Sequence, residues 1–168
     1  MATELESRYI KIYQDYYNAT CSYIERIVND HALAEDLTQE TFIKIMTRLK
    51  DFDESKKPAP WIFRIAHNTC IDYFRCNKTT FELVDENVCY DKESNQPENI
   101  ILNKEKSIVI RDVLLKMSQK YRTAILLRDI NDLSYKEVAS ALKLNEATVK
   151  TLIRRGRQHF KKAYSKAY

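Results

Sequence analysis

The stretch Ser134–Lys162, SYKEVASALKLNEATVKTLIRRGRQHFKK, decides how this chain is read. It predicts two helices joined by a tight turn. Ser134 caps the first, and Glu137 three residues on completes a capping box. Val138, Ala139 and Leu142 give that helix an apolar stripe, and Leu144 is expected to fill the turn. Asn145 caps the second helix, with Glu146 in its first turn, where the helix dipole favours a carboxylate. At about 100° per residue, Val149, Leu152, Ile153, Gly156 and Phe160 share one face. Ala147, Thr151, Arg154, Arg155, Gln158 and Lys162 share the opposite one, with Lys150, Arg157 and Lys161 on a flank. Between Lys143 and Lys166 stand eight Lys or Arg residues against one acid, Glu146. A charge run alone marks only a solvated surface. A capped short helix, a compact turn and a polarised second helix together are what a major-groove reader needs.

Composition narrows the class. The 168 residues include one Gly and three Pro, so turns that require positive φ are scarce, which argues against an all-β fold with many tight hairpins and predicts an all-α one. The length suits one ordinary domain or two small helical ones. No apolar run approaches the ~20 residues of a membrane span, and MATELESRYIK has no apolar signal core, which predicts a soluble, cytoplasmic chain without membrane insertion. Cys21, Cys70, Cys76 and Cys89 form no C-x-x-C pair, and His31, His67 and His159 are scattered, so no zinc spacing emerges. His67 and Cys70 at i, i+3 read as separate packing residues. There is no Gly-rich phosphate loop and no plausible nucleophile–base pair; no cofactor is implied, and an enzyme is not expected.

The net charge of +4 is unevenly spread. Residues 1–80 carry net −1, residues 81–99 net −5 and residues 100–168 net +10. A phosphate-binding surface therefore belongs mainly to the C-terminal end.

Three groups of residues in the opening stretch, the first beginning one residue before it, carry a family resemblance. They are Leu133-Ser134-Tyr135-Lys136-Glu137-Val138-Ala139, Thr148-Val149-Lys150 and Arg155-Gly156-Arg157. Together they resemble the C-terminal helix-turn-helix of bacterial sigma factors of the extracytoplasmic-function (ECF) group, which reads the minus-35 promoter element. The chain departs from the pattern in the turn, where Lys143 stands in place of a common Gly. A positive φ there costs about 1 kcal/mol. The resemblance implies base-edge contacts from Lys150, Thr151 and Arg155, with Arg154 and Lys161 on phosphates.

In the first half, Tyr9, Ile12, Tyr13, Tyr16, Tyr17, Tyr23, Ile24, Ile27 and Val28 recur at helical spacing from Leu5 to about Asn29, as core rather than as a base-stacking platform. A second helix is expected from His31 to Phe52, with Leu33, Leu37, Thr41, Ile45 and Leu49 inward, broadened by Phe42 and Met46. Its outer residues read as a solvated face on physics alone. The string Ala34-Glu35-Asp36-Leu37-Thr38-Gln39-Glu40-Thr41-Phe42, however, resembles the sigma-factor helix that grips the clamp-helix coiled coil of RNA polymerase. That implies Asp36, Gln39 and Glu40 at the interface. A Pro-containing loop then leads to a third helix, WIFRIAHNTCIDYFRCNK, with Pro60 near its start and Ile62, Ile65, Ala66, Thr69 and Tyr73 inward. It resembles the helix that holds the melted minus-10 element. Catching an unstacked base needs an amide, supplied by Asn68, and basic groups for the backbone, supplied by Arg64, Arg75, Lys56 and Lys57. Trp61 reads as a core anchor.

Residues 79–97 break every period and read as an acidic linker. The ECF resemblance implies that this connection runs through polymerase near the RNA exit path; if its charge acts there, neutralising Glu82, Asp85, Glu86, Asp91 and Glu93 alters promoter escape. Beyond it, a helix from Glu98 is expected to bury Ile101, Ile108, Val109, Val113 and Leu114. Ser118 is expected to cap the next, which buries Tyr121, Ile125, Leu126 and Ile130. Met117-Ser118-Gln119-Lys120-Tyr121-Arg122 resembles the family's lead-in, where Leu-Pro is more usual before the Tyr-Arg pair.

The chain thus reads as two small helical domains, 1–78 (region 2-like) and 98–168 (region 4-like, four helices with the helix-turn-helix), joined by residues 79–97. Its implied partners are core RNA polymerase, promoter DNA and an anti-sigma factor. Two other readings remain open from sequence: a helix-turn-helix regulator without sigma activity, and an adaptor that binds a partner through its first half.

Overall fold

A computed structural model of the chain describes residues 2–76 and 101–167, and the acidic linker expected at 79–97, with Cys89, lies outside them. Among the described residues there are seven α-helices: α1 (Ala2–Val28), α2 (His31–Arg48), α3 (Pro58–Cys76), α4 (Ile101–Leu115), α5 (Gln119–Ile125), α6 (Tyr135–Leu142) and α7 (Glu146–Ala167). No strand occurs among the described residues.

Local chemistry sets most of the boundaries. The Asp30 carboxylate accepts from the Leu33 backbone N–H at 3.0 Å and starts α2. One 3-10 turn, Leu49–Asp51, ends it. The third helix begins at Pro58, two residues before the expected Pro60 start, because both prolines fall in the first turn, where missing N–H groups cost nothing. Ser118 flanks α5 but makes no side-chain cap; its backbone carbonyl accepts from Tyr121 and Arg122 instead.

Burial follows the helical periods with instructive exceptions. Tyr23, Ile24, Phe42, Ile45, Leu49 and Ile62 are essentially inaccessible. Trp61 packs on Phe52 with ring centroids 4.6 Å apart, as a core anchor. Met46, expected to broaden the α2 stripe, is 51% exposed, because Phe42 and Ile45 already fill the contact with α1 and α3. Ile108 and Ile130, both expected inward, are exposed. For Ile130 the cause is a π-helical turn at Leu126–Ile130, where the Asn131 N–H reaches back to the Leu126 carbonyl. The wide turn rotates the 3.6-residue pattern off the core.

A small cluster of Phe42, Ile45, Ile62 and Ile65 belongs to the first three helices alone. The main core does not divide that way. Tyr23, Ile24, Ile27, Phe63, Ala66 and Cys70 from the first half join Leu114, Met117, Leu126, Leu127, Val138 and Ile153 from the second. The two halves are docked, with α6 lying against α3.

Candidate nucleic-acid and polymerase interfaces

The turn between α6 and α7 is built as its residues dictate. The Ser134 hydroxyl accepts from the Glu137 N–H at 3.3 Å, and the Glu137 carboxylate accepts from the Ser134 N–H at 2.7 Å. Those bonds, together with Lys57, hold the Glu137 carboxyl below its ordinary pKa. Lys143 takes the left-handed conformation at φ 55°, so a residue with a Cβ does occupy the position that Gly fills without strain. Leu144, expected to plug the turn, is 40% exposed. Asn145 then caps α7 through its side-chain oxygen, 2.7 Å from the Thr148 N–H.

Two buried side chains and one glycine fix how α7 sits. Val149 and Ile153 are buried in the core. A Cβ on Gly156 would lie 2.9 Å from Ile125 Cδ1 and 3.3 Å from Tyr121 Cβ. The chain's one glycine therefore permits the close approach of α7 to α5. With that face committed, Lys150, Thr151, Arg154, Arg155, Arg157, Gln158, Lys161 and Lys162 are all exposed.

These cations are not equivalent. Lys150 pairs with Glu146 at 2.8 Å, which raises its pKa, and lies 5.9 Å from the Tyr135 ring centre. Arg157 makes a two-pronged pair with Asp129 and is thereby committed within the fold. The Thr151 hydroxyl donates to the Ala147 carbonyl at 3.0 Å, leaving its lone pairs outward. Arg154, Arg155 and Lys161 make no ion pair with another described residue.

On α2, Asp36, Gln39 and Glu40 lie on one exposed face. Lys44 pairs with Glu40 at 2.6 Å and donates to the Thr69 hydroxyl of α3 at 3.2 Å, tying that face to the next helix. The exposed apolar residues Ile43, singled out by no sequence signal, and Met46, expected inward, continue the same side. Along α3, Asn68 and Arg75 are exposed and Arg64 half-buried; Arg75 pairs with Asp72 at 3.0 Å. In the preceding loop Lys56 pairs with Asp53, and Lys57 crosses to Glu137 of α6 at 3.0 Å. The expected minus-10 residues are thus spread over one loop and one helix face.

His67 and Cys70 form no metal site with other described residues. His67 Nδ1 lies 3.3 Å from the Tyr23 hydroxyl, and burial lowers its pKa to about 4. Cys70 is fully buried, which pushes its thiol up to about 12. Both are packing groups.

Comparison with known proteins agrees with this arrangement. Residues 12–80 match the family Sigma-70 region 2, and residues 107–160 match Sigma-70, region 4. The chain is 33% identical to the RNA polymerase sigma factor SigZ of Bacillus subtilis, covering 89% of this chain and 83% of that protein. It is 34% identical to the ECF RNA polymerase sigma factor SigW of the same organism, covering 91% and 85%. In fold it is similar to the sigma factor RpoE of Bartonella quintana, solved with the anti-sigma factor NepR (TM-score 0.77, 19% identity, 94% of this chain and 97% of that one). CnrH, solved with the cytosolic domain of CnrY, gives a TM-score of 0.73 at 19% identity over 97% and 91%. The chain therefore belongs to the ECF sigma factors of the sigma-70 family, promoter-recognising proteins that work with core RNA polymerase and are not enzymes.

Proposed function

We propose a division of labour within this sigma factor between three surfaces. Asp36, Gln39 and Glu40 on α2 dock on the clamp helices of core polymerase. Asn68 takes a base of the melted minus-10 strand, while Arg64, Arg75, Lys56 and Lys57 hold its backbone. In the second half Lys150, Thr151 and Arg155 read base edges of the minus-35 duplex, and Arg154 and Lys161 bind its phosphates. The functional units are residues 1–78 and 98–168, with 79–97 as the connection.

One observation supports this most: α7 spends its apolar face on the core and leaves a cationic, hydrogen-bonding face exposed. Arginine and lysine paired to guanine are the commonest specific major-groove contact. No helix of the described residues is long and apolar enough to cross a membrane, in keeping with work in the cytoplasm on chromosomal DNA. An anti-sigma factor is proposed as a regulatory partner, because RpoE was solved with the anti-sigma factor NepR.

Core polymerase on a promoter library, with and without the chain, tests the reading. Transcripts starting at a shared pair of elements only when the chain is present are expected. Duplex binding by a dimer with no effect on polymerase would instead favour an ordinary regulator, and polymerase binding without initiation an adaptor.

A further inference from the structure

Glu146 is the one acid between Lys143 and Lys166, and it opens α7, the helix proposed to enter the major groove. Residues at the N-terminal end of such a helix reach base edges. A carboxylate there meets the field of the DNA phosphates, so it weakens binding to every duplex unless a base-edge donor receives it. Packing does not call for an acid at this position. The Glu146 side chain is 47% exposed, and its ion-pair partner, Lys150, belongs to the same helix. A pair at i, i+4 steadies a helix slightly wherever it stands; this one stands on the reading surface.

The pair is also held from outside the helix. Lys150 Nζ lies 2.8 Å from Glu146 Oε1 and 5.9 Å from the centre of the Tyr135 ring. Tyr135 is packed against the main core and carries the Arg128 guanidinium 5.2 Å from the same ring centre. The bond to Lys150, the charge of Lys150 and that of Lys136 on α6 hold the Glu146 carboxyl below its ordinary pKa, so at neutral pH it only accepts. An ammonium has three donor protons and gives one to Glu146; an ionised carboxylate keeps lone pairs to spare. The pair thus presents an acceptor and two free donors side by side. In a C·G base pair, cytosine N4 and guanine O6 share a hydrogen bond about 2.9 Å long, so a donor and an acceptor stand at matching spacing on the major-groove edge. Guanine N7 adds a second acceptor next to O6. Adenine N6 and thymine O4 form a like couple, but the thymine methyl stands beyond O4, where a second Lys proton finds no acceptor.

We propose that Glu146 and Lys150 read one C·G base pair of the minus-35 element as a unit, the carboxylate accepting from cytosine N4 and the ammonium donating to guanine O6 and N7. Glu146 is then a specificity-determining residue: it lowers affinity for elements without a donor at that position and is received where cytosine supplies one. The inference rests on the minus-35 reading by α7 proposed above and names the base pair that its first turns select.

The test uses the full chain with core polymerase on a promoter library randomised across the minus-35 element, with transcripts counted by sequencing. Glu146→Gln and Lys150→Gln keep side chains of similar reach on an exposed helix face, and circular dichroism checks that both variants stay helical. The wild-type chain is expected to favour C·G at one position of the element. Glu146→Gln should reduce that preference about 5- to 100-fold while the preferences at other positions persist. Lys150→Gln should lose preference at the same position. A uniform rise in initiation on all elements by Glu146→Gln, with every preference kept, would show a carboxylate that only repels phosphates and would overturn the proposal. Unchanged initiation, which a purely helix-stabilising pair predicts, would also overturn it. So would preferences lost at two different positions by the two variants, or a wild-type preference for A·T at the shared one. Absence of initiation by the wild-type chain would instead remove the functional reading itself, an outcome distinct from these because each of them requires an initiating wild type.

Discussion

The outer faces of α2 and α7 are both exposed, charged and held by well-packed helices, yet they are built on different principles. The α7 face is nearly all cationic, and residues such as Arg154 and Arg155 are left without partners among the described residues. The α2 face mixes Asp36, Gln39 and Glu40 with exposed Ile43 and Met46, and Glu40 is tied through Lys44 to α3. A uniform cationic face suits a phosphate backbone whose charge is the same for every sequence. A mixed face suits a protein partner, where apolar area and charge pattern set specificity together.

The sharpest way to break this contrast is to remove what positions α7. Ile153 is 1% exposed and anchors the helix. Ile153→Ala is expected to cost about 2–5 kcal/mol in denaturant unfolding and to remove DNA binding with it. Next come the faces themselves. Arg155→Ala should reduce discrimination at one base position by about 1–3 kcal/mol in a duplex selection experiment, leaving polymerase affinity at the wild-type level. Gln39→Ala should do the reverse, weakening binding to polymerase severalfold with no change in minus-35 base preference. Two variants that fail identically in both assays would erase the distinction.

Smaller effects probe the helix-turn-helix of α6 and α7. Ser134→Ala removes the cap and should cost about 1 kcal/mol. The Glu137 carboxyl, held below its ordinary value of 4.5 by the Ser134 backbone and side-chain bonds, stabilises the folded state above that value. Its contribution is lost as the pH falls through the lowered folded-state pKa. Glu137→Gln should therefore flatten the acid limb of the stability profile below about pH 4.5 and leave its shape at higher pH unchanged. Last, Lys143→Gly relieves a left-handed strain and should raise stability by about 0.5–1 kcal/mol, read as a shift in the thermal midpoint.

Much of the second half was legible because its determinants are local. Ser134, Glu137, Asn145 and the spacing of Val149, Ile153 and Gly156 act within a turn or two of the backbone. Even the strain at Lys143 followed from the absence of a glycine. Two of the misplaced residues had causes that the 3.6-residue period does not carry. Ile130 was displaced by a π turn that no composition rule marks, and Met46 by neighbours that had already filled its contact. The docking role proposed for Asp36, Gln39 and Glu40 rests on family resemblance alone, since a polar helix face is common to countless solvated helices. The joining of the two halves escaped the sequence altogether: Arg122 meets carbonyls about 95 residues away in the chain, and no periodicity reports on that.

The central claim is that α2 binds core polymerase while α7 reads duplex DNA. Titration of purified core polymerase with the wild-type chain, the Asp36/Gln39/Glu40 triple-alanine variant and Arg155→Ala tests it most directly. Saturable binding by the wild-type chain and by Arg155→Ala, with much weaker binding by the triple variant, is the expected result. Failure of the wild-type chain to bind, or binding undiminished by the α2 changes, would contradict it.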